Sequence, residues 1–179
     1  MSIQVFILSK LMIGKTYPYE LKKQMSEPIP LDELGGITES KLYYHFDSLA
    51  KHGLIEPVEI IKEQHRPDKQ VFAITAKGRE ELPNKIYKLF ESAIDLNDMV
   101  IALANIKFVD PEKVVTLLKE KVTNYKAHWE RIMNFENTAY KDKKSENLNE
   151  LLVGYFTTKS DHTIYWLEKT ITQIEQDNL

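Results

Sequence analysis

The chain contains no cysteine. Disulfides and thiolate metal sites are therefore excluded, and a cytoplasmic setting is the expectation. No run of 18 apolar residues occurs, so a helical membrane span is excluded. The apolar N-terminal stretch I-Q-V-F-I-L-S-K-L-M-I is interrupted by Gln4 and Lys10. It lacks a basic leader and a small-residue cleavage site, so a signal peptide is not expected. The six glycines form no Gly-rich phosphate loop, and G-x-S-x-G is absent. The histidines, His45, His52, His65, His128 and His162, fall at no recognised metal spacing. An enzyme is not expected, nor is a metal or cofactor. Charge of one sign is also scarce: the net charge is −3, and residues 1–78 hold 10 basic and 10 acidic side chains. Any surface that binds a polyanion must be a local patch rather than a global field.

What is present is the composition of a globular protein, 42% hydrophobic and 28% charged, long enough for one large or two small domains. Its organising stretch is Thr38 to Ile55, T-E-S-K-L-Y-Y-H-F-D-S-L-A-K-H-G-L-I. Thr38 is suited to cap a helix through its hydroxyl, and Glu39 suits the positive end of the helix dipole. Leu42, Phe46 and Leu49 share one face. Gly53 stands where the chain must leave the helix in a left-handed conformation. Ser40, Lys41, Tyr43, Tyr44 and Asp47 point the other way. Hydroxyls, an ammonium and phenols on such a face suit phosphates and base edges; a merely solvated face is the plain alternative.

Two helices are expected before it. The first, over residues 2–13, is apolar around most of its circumference and suits burial between a domain and a partner. The second opens at Thr16 or Tyr17 with Pro18 in its first turn, and stops at Pro28 and Pro30. After Gly53 the pattern changes to two β-branched stretches, Leu54 to Gln64 and Gln70 to Thr75, joined through a Pro67-Asp68 turn. A hairpin directly after a helix-turn-helix is a wing. His65, Arg66 and Lys69 place cationic groups at its tip.

These pieces resemble the PadR family of bacterial transcriptional regulators. The resemblance is carried by Y-P-Y-E-L at 17–21, by K-L-Y-Y-H-F-D-S-L-A-K-H-G-L-I at 41–55 and by F-A-I-T-A-K-G-R-E-E-L at 72–82. Tyr43, Leu49, Gly53, Leu54, Ile55, Thr75, Gly78 and Arg79 fall on the family's positions. Pro18 stands where the family usually has Gly, Tyr44 where Pro is common, and the wing tip is Pro67-Asp68 rather than Gly-rich.

Thr75 is expected to cap a further helix, with a boundary or kink at Pro83. Leu82, Ile86, Leu89, Ala93, Leu96, Val100 and Leu103 then follow a heptad spacing, which predicts a seam against a partner helix or the helix's own domain. Asp110-Pro111 restarts a helix running to about Phe135. Lys141 to Asn149 reads as a charged loop or frayed end, and a last helix runs from about Ser145 to Gln176. Trp166-Leu167 resembles a Trp-Leu pair of the PadR subgroup with a long C-terminal extension.

The expected fold is mainly α. Residues 1–80 would form a winged helix-turn-helix with three helices and a two-stranded wing, and residues 81–179 an all-helical dimerisation domain. The expected function is sequence-specific binding of double-stranded operator DNA by a homodimeric regulator, a repressor by preference. Tyr17, Thr38, Ser40, Lys41, Tyr43, Tyr44, Arg66 and Lys69 would contact DNA. Ile3, Phe6, Leu89, Leu96, Val100, Leu103 and Trp166 would contact the second copy. Some PadR-like proteins respond to aromatic or phenolic compounds, so the resemblance implies a small aromatic effector, with Tyr125, Trp129, Tyr155 and Tyr165 as pocket candidates; core aromatics are the alternative. The competing function is a winged-helix dimer that binds protein or a small molecule and has little DNA affinity.

Overall fold

The computed structural model describes residues 2–24, 38–62, 68–136 and 143–179. It divides into two compact units, residues 1–110 and 111–179.

In the first unit, α1 (Ser2–Ile13) and α2 (Pro18–Lys23) precede α3 (Glu39–Lys51), the helix of the organising stretch. The wing strands β1 (Ile55–Ile61) and β2 (Lys69–Ile74) follow, then α4 (Ala76–Ser92), α5 (Leu96–Leu103) and a short 3-10 turn at Ile106–Phe108. Ile3, Val5, Phe6, Ile7, Leu8 and Leu11 of α1 are all buried, because α1 packs on α3, α4, α5 and β2 of its own unit. The all-round hydrophobicity of α1 is thus satisfied internally. Ile3 and Phe6, expected at a subunit interface, are core residues at 5% and 1% exposure.

The strands pair antiparallel from Ile55 opposite Ile74 to Ile61 opposite Lys69, with a bulge between Pro57 and Glu59. Pro57 faces Phe72. Phe72 spends both its backbone groups on the other edge, where it exchanges hydrogen bonds with Thr16 (3.1 and 2.8 Å). The proline therefore faces a position that asks for no donor. The Phe46 ring meets Phe72 at 5.2 Å and ties α3 to the wing.

Two expectations are corrected here. Pro83 does not interrupt α4, which runs through it. Leu82 and Ile86 flank the proline and are fully buried, and their packing outweighs one missing N–H bond. The heptad stretch is not one helix. The chain extends at Ala93 (ψ 139°), and Asp95 starts α5 anew, its carboxylate accepting from the Asn97 and Asp98 N–H groups at 3.0 and 3.4 Å. Asp98 in turn accepts from the Ile94 N–H at 2.9 Å. The break resets the register. Met99, Ile101 and Ala102 turn inward, Leu96, Val100 and Leu103 are half-buried, and Leu89 is in the core of its own unit. By contact, the first compact unit runs to Asp110, because α4 packs on α1 and α5 packs on both.

The second unit is an antiparallel hairpin of α6 (Pro111–Glu136) and α7 (Lys143–Glu175). Lys119 pairs with Glu175 at 2.6 Å and Lys126 with Glu168 at 2.8 Å, one heptad apart on each helix. Val114, Val115, Leu118 and Val122 on α6 and Leu167, Ile171 and Ile174 on α7 are all buried. The last helix, expected from about Ser145, begins at Lys143. No helix among the described residues is long and apolar enough to cross a membrane.

Candidate nucleic-acid interface

Leu42 and Leu49 of α3 are fully buried and Phe46 nearly so. Three such side chains contribute about 1.5–3 kcal/mol each, far more than any helix propensity. The opposite face is thereby left free to carry other chemistry. It presents Ser40, Lys41 and Asp47, all exposed, together with Tyr43 at 44% and Tyr44 at 68% exposure. Thr38 holds the N-cap position with extended backbone (φ −110°, ψ 155°), but its hydroxyl makes no capping bond. The helix is started by its carbonyl, which accepts from the Leu42 N–H at 3.0 Å. The exposed hydroxyl is available to a ligand instead.

The C-terminal end of α3 is fixed more firmly. Gly53 is left-handed (φ +69°). Its N–H donates to the Ala50 carbonyl at 2.9 Å, and the Leu54 N–H donates to the Leu49 carbonyl at 2.9 Å. This is a Schellman closure with buried leucines at both of its hydrophobic positions. Thr75 then bolts the exit of α3 to the start of α4. Its hydroxyl donates to the Gly53 carbonyl at 2.8 Å and accepts from the Gly78 N–H at 3.0 Å, and its own N–H donates to the Leu54 carbonyl at 3.1 Å. The Lys77 ammonium reaches the His52 carbonyl at 3.0 Å. Gly78 is the only residue type that fits: a Cβ there would lie 2.0 Å from the Leu54 carbonyl oxygen. The T-A-K-G segment thus sets the orientation of the recognition helix, which sequence spacing alone does not reveal.

Tyr17 and Lys69, far apart in sequence, are brought together by the Thr16–Phe72 bridge. The Lys69 ammonium sits 5.3 Å over the Tyr17 ring, and both side chains are half-buried. Arg66, expected at the wing tip, lies outside the described residues, as do His65 and Pro67. On the outer strand, Glu56 and Glu59 are exposed, and Glu59 pairs with Lys15 at 3.2 Å.

His45, which no sequence pattern marks, sits half-buried on α3 between the two faces. Its Nδ1 is buried without a hydrogen-bond partner among the described residues. Burial holds its pKa below the ordinary 6.5, and the positive charges of the amino terminus and of Lys41 push the same way.

Of the aromatic candidates of the second unit, Tyr125 and Trp129 are in contact, and Tyr155 joins them through its neighbour Phe156, at 5.1 Å. Trp129 meets Phe156 at 5.3 Å and Tyr125 at 6.1 Å, whereas Tyr155 and Tyr165 are exposed on α7 at 57% and 53%. Trp129 alone of the four lines the cavity between α6 and α7.

A helix-turn-helix scaffold with a wing and a polar, aromatic recognition face defines a winged-helix DNA-binding domain. Residues 7–84 match the model of the Transcriptional regulator PadR-like family. Residues 7–84 are therefore PadR-like, and the members of that family are transcriptional regulators. A search of the curated proteins returns no match. Among solved structures, the chain is similar to Bacillus subtilis PadR in complex with operator DNA (17% identity, 97% of this chain and 99% of that one, TM-score 0.42). It is also similar to the same protein in complex with p-coumaric acid (16% identity, 98% and 99%, TM-score 0.40). A transcriptional regulator from Clostridium thermocellum is 30% identical over 48% of this chain and 78% of that one, with a TM-score of 0.38. The PadR-like reading of residues 7–84 rests on the family-model match and not on these superpositions.

Proposed function

We propose that the protein is a homodimeric repressor that binds operator DNA through α3 and the wing and is released by a small aromatic effector. The observation that carries the DNA-binding part is the exposed face of α3, with Ser40, Lys41, Tyr43 and Tyr44 held outward by a fully buried Leu42–Phe46–Leu49 stripe. Ser40, Lys41 and Tyr44 approach base edges or flanking phosphates. Tyr43, Tyr17, Lys69 and Arg66 contact the backbone, and Thr38 adds a hydroxyl at the helix start. All of these lie within residues 1–80, the proposed DNA-binding domain; residues 81–179 supply the subunit contacts.

One recognition helix reads only a few base pairs, and two helices held about 34–36 Å apart meet successive major grooves on one face of the duplex. A dimer surface is available on α7, where Leu148, Leu151, Leu152, Tyr155, Tyr165 and Trp166 are all exposed at 38–70%. Leu96, Val100 and Leu103 add half-buried apolar surface in the first unit. A second copy covering the α7 stripe would hold two reading heads at a fixed spacing. A ligand that prefers another spacing would release DNA, provided both spacings are populated.

The test is a mobility shift with the DNA upstream of the protein's own gene, titrated with salt. Saturable binding that survives excess non-specific DNA, with a steep salt slope, is expected. Failure to bind that DNA, or any sequence from a genome-wide selection, overturns the reading in favour of a protein- or small-molecule-binding module. The acidic outer strand of the wing, Glu56 and Glu59, is the feature that favours this second reading.

A further inference from the structure

Between α6 and α7 lies a cavity of about 350 Å³, lined by Lys126, Trp129, Glu130, Thr157, Ser160, Asp161 and Ile164. Its size suits a one- or two-ring molecule. Among the described residues, not all of its polar groups are paired. Ser160 is 6% exposed, and its hydroxyl has no hydrogen-bond partner among the described residues. The Trp129 Nε1 is buried and likewise has none. Ser160, more than nine-tenths buried and unpaired at the cavity wall, is the polar group an occupant would meet.

The charges around the cavity select the kind of occupant. The one ammonium, Lys126, is committed to Glu168 at 2.8 Å. The carboxylates of Glu130 and Asp161 have no ion-pair partner among the described residues. A carboxylic acid entering here would meet two uncompensated negative charges. A cation would meet those charges and the face of an indole, which attracts cations through its ring quadrupole.

We infer that this cavity binds an aromatic ammonium compound. The ammonium lies toward Glu130 and Asp161, the ring lies on Trp129 and Ile164, and Ser160 hydrogen-bonds a polar substituent. This deepens the effector-responsive reading above and rests on it for its regulatory meaning, but binding itself is independent of DNA.

The test is calorimetric titration of the full chain, without DNA, using three probes of one shape: phenethylamine, phenethyl alcohol and phenylacetate. The amine is expected to bind one per chain, roughly tenfold tighter than the acid, with the alcohol between them. Glu130→Gln and Asp161→Asn should each weaken the amine about threefold and leave the alcohol unchanged. Ser160→Leu should abolish binding of all three while preserving the helical circular dichroism. Equal or tighter binding of the acid overturns the inference, as does amine binding indifferent to both carboxylate variants, or no heat from any probe at millimolar concentration. Failure of the regulator reading is recognised separately: the amine would still bind, but no DNA would shift.

Discussion

Gly78→Ala isolates the joint that orients the recognition helix. The new Cβ would lie 2.0 Å from the Leu54 carbonyl oxygen and 2.8 Å from Ile74 Cγ1. The carbonyl cannot simply withdraw, because it accepts from the Thr75 N–H at 3.1 Å, and its neighbour Gly53 is held by the Thr75 hydroxyl at 2.8 Å. Overpacking of this kind costs about 1–3 kcal/mol. Loss of the Leu54–Thr75 hydrogen bond adds about 1 kcal/mol. The better helix propensity of Ala returns about 1 kcal/mol. The net is a destabilisation of about 1–3 kcal/mol, or a fall in Tm of roughly 2–12 °C for a chain of this size. Gly154→Ala supplies the control. It is the same change inside a helix, but nothing lies within 4 Å of its Cβ, so propensity acts alone. That variant should gain about 0.5–1 kcal/mol. Urea unfolding followed by far-ultraviolet circular dichroism measures both. If Gly78→Ala matches or exceeds the wild type, the close approach of α4 to the exit of α3 is not as described.

Thr75→Val keeps the shape but removes the cap on Gly78 and the bond to Gly53; a loss of about 1–2 kcal/mol is expected in the same unfolding assay. Lys41→Ala should weaken operator binding and reduce the salt slope by about one, and an unchanged slope in a mobility shift would remove Lys41 from the interface. His45 gives a pH signature. Its folded pKa is below the unfolded 6.5, so the stability it contributes is fully present above 6.5 and is lost as pH falls below 6.5 toward the folded value. His45→Gln should flatten the stability–pH profile just below 6.5; a profile that keeps its slope would assign the effect to other groups.

The local signals were legible in the sequence because each has a local cause. The stripe of Leu42, Phe46 and Leu49, the left-handed Gly53, the two β-branched strands and Pro111 at a helix start all depend on residues a few positions apart. The outward set on α3 follows by subtraction once the buried stripe is known. The errors have two sources, a local start signal passed over and competition between distant residues. Heptad spacing predicted one seam helix across 82–103, but Asp95 and Asp98 satisfy free N–H groups and make a fresh start there. Pro83 should break a helix by its own chemistry, yet packing of Leu82 and Ile86 holds the helix together. The N-terminal helix advertised a partner because hydrophobicity has no address: sequence shows that a face must be buried, not against what. Only the tertiary structure assigned that face to α3, α4, α5 and β2, placed Lys69 over Tyr17, and put a carbonyl where Gly78 admits no side chain. Burial and close approach are properties of two segments at once, so the sequence determined which elements form, and the tertiary packing decided what each of them touches.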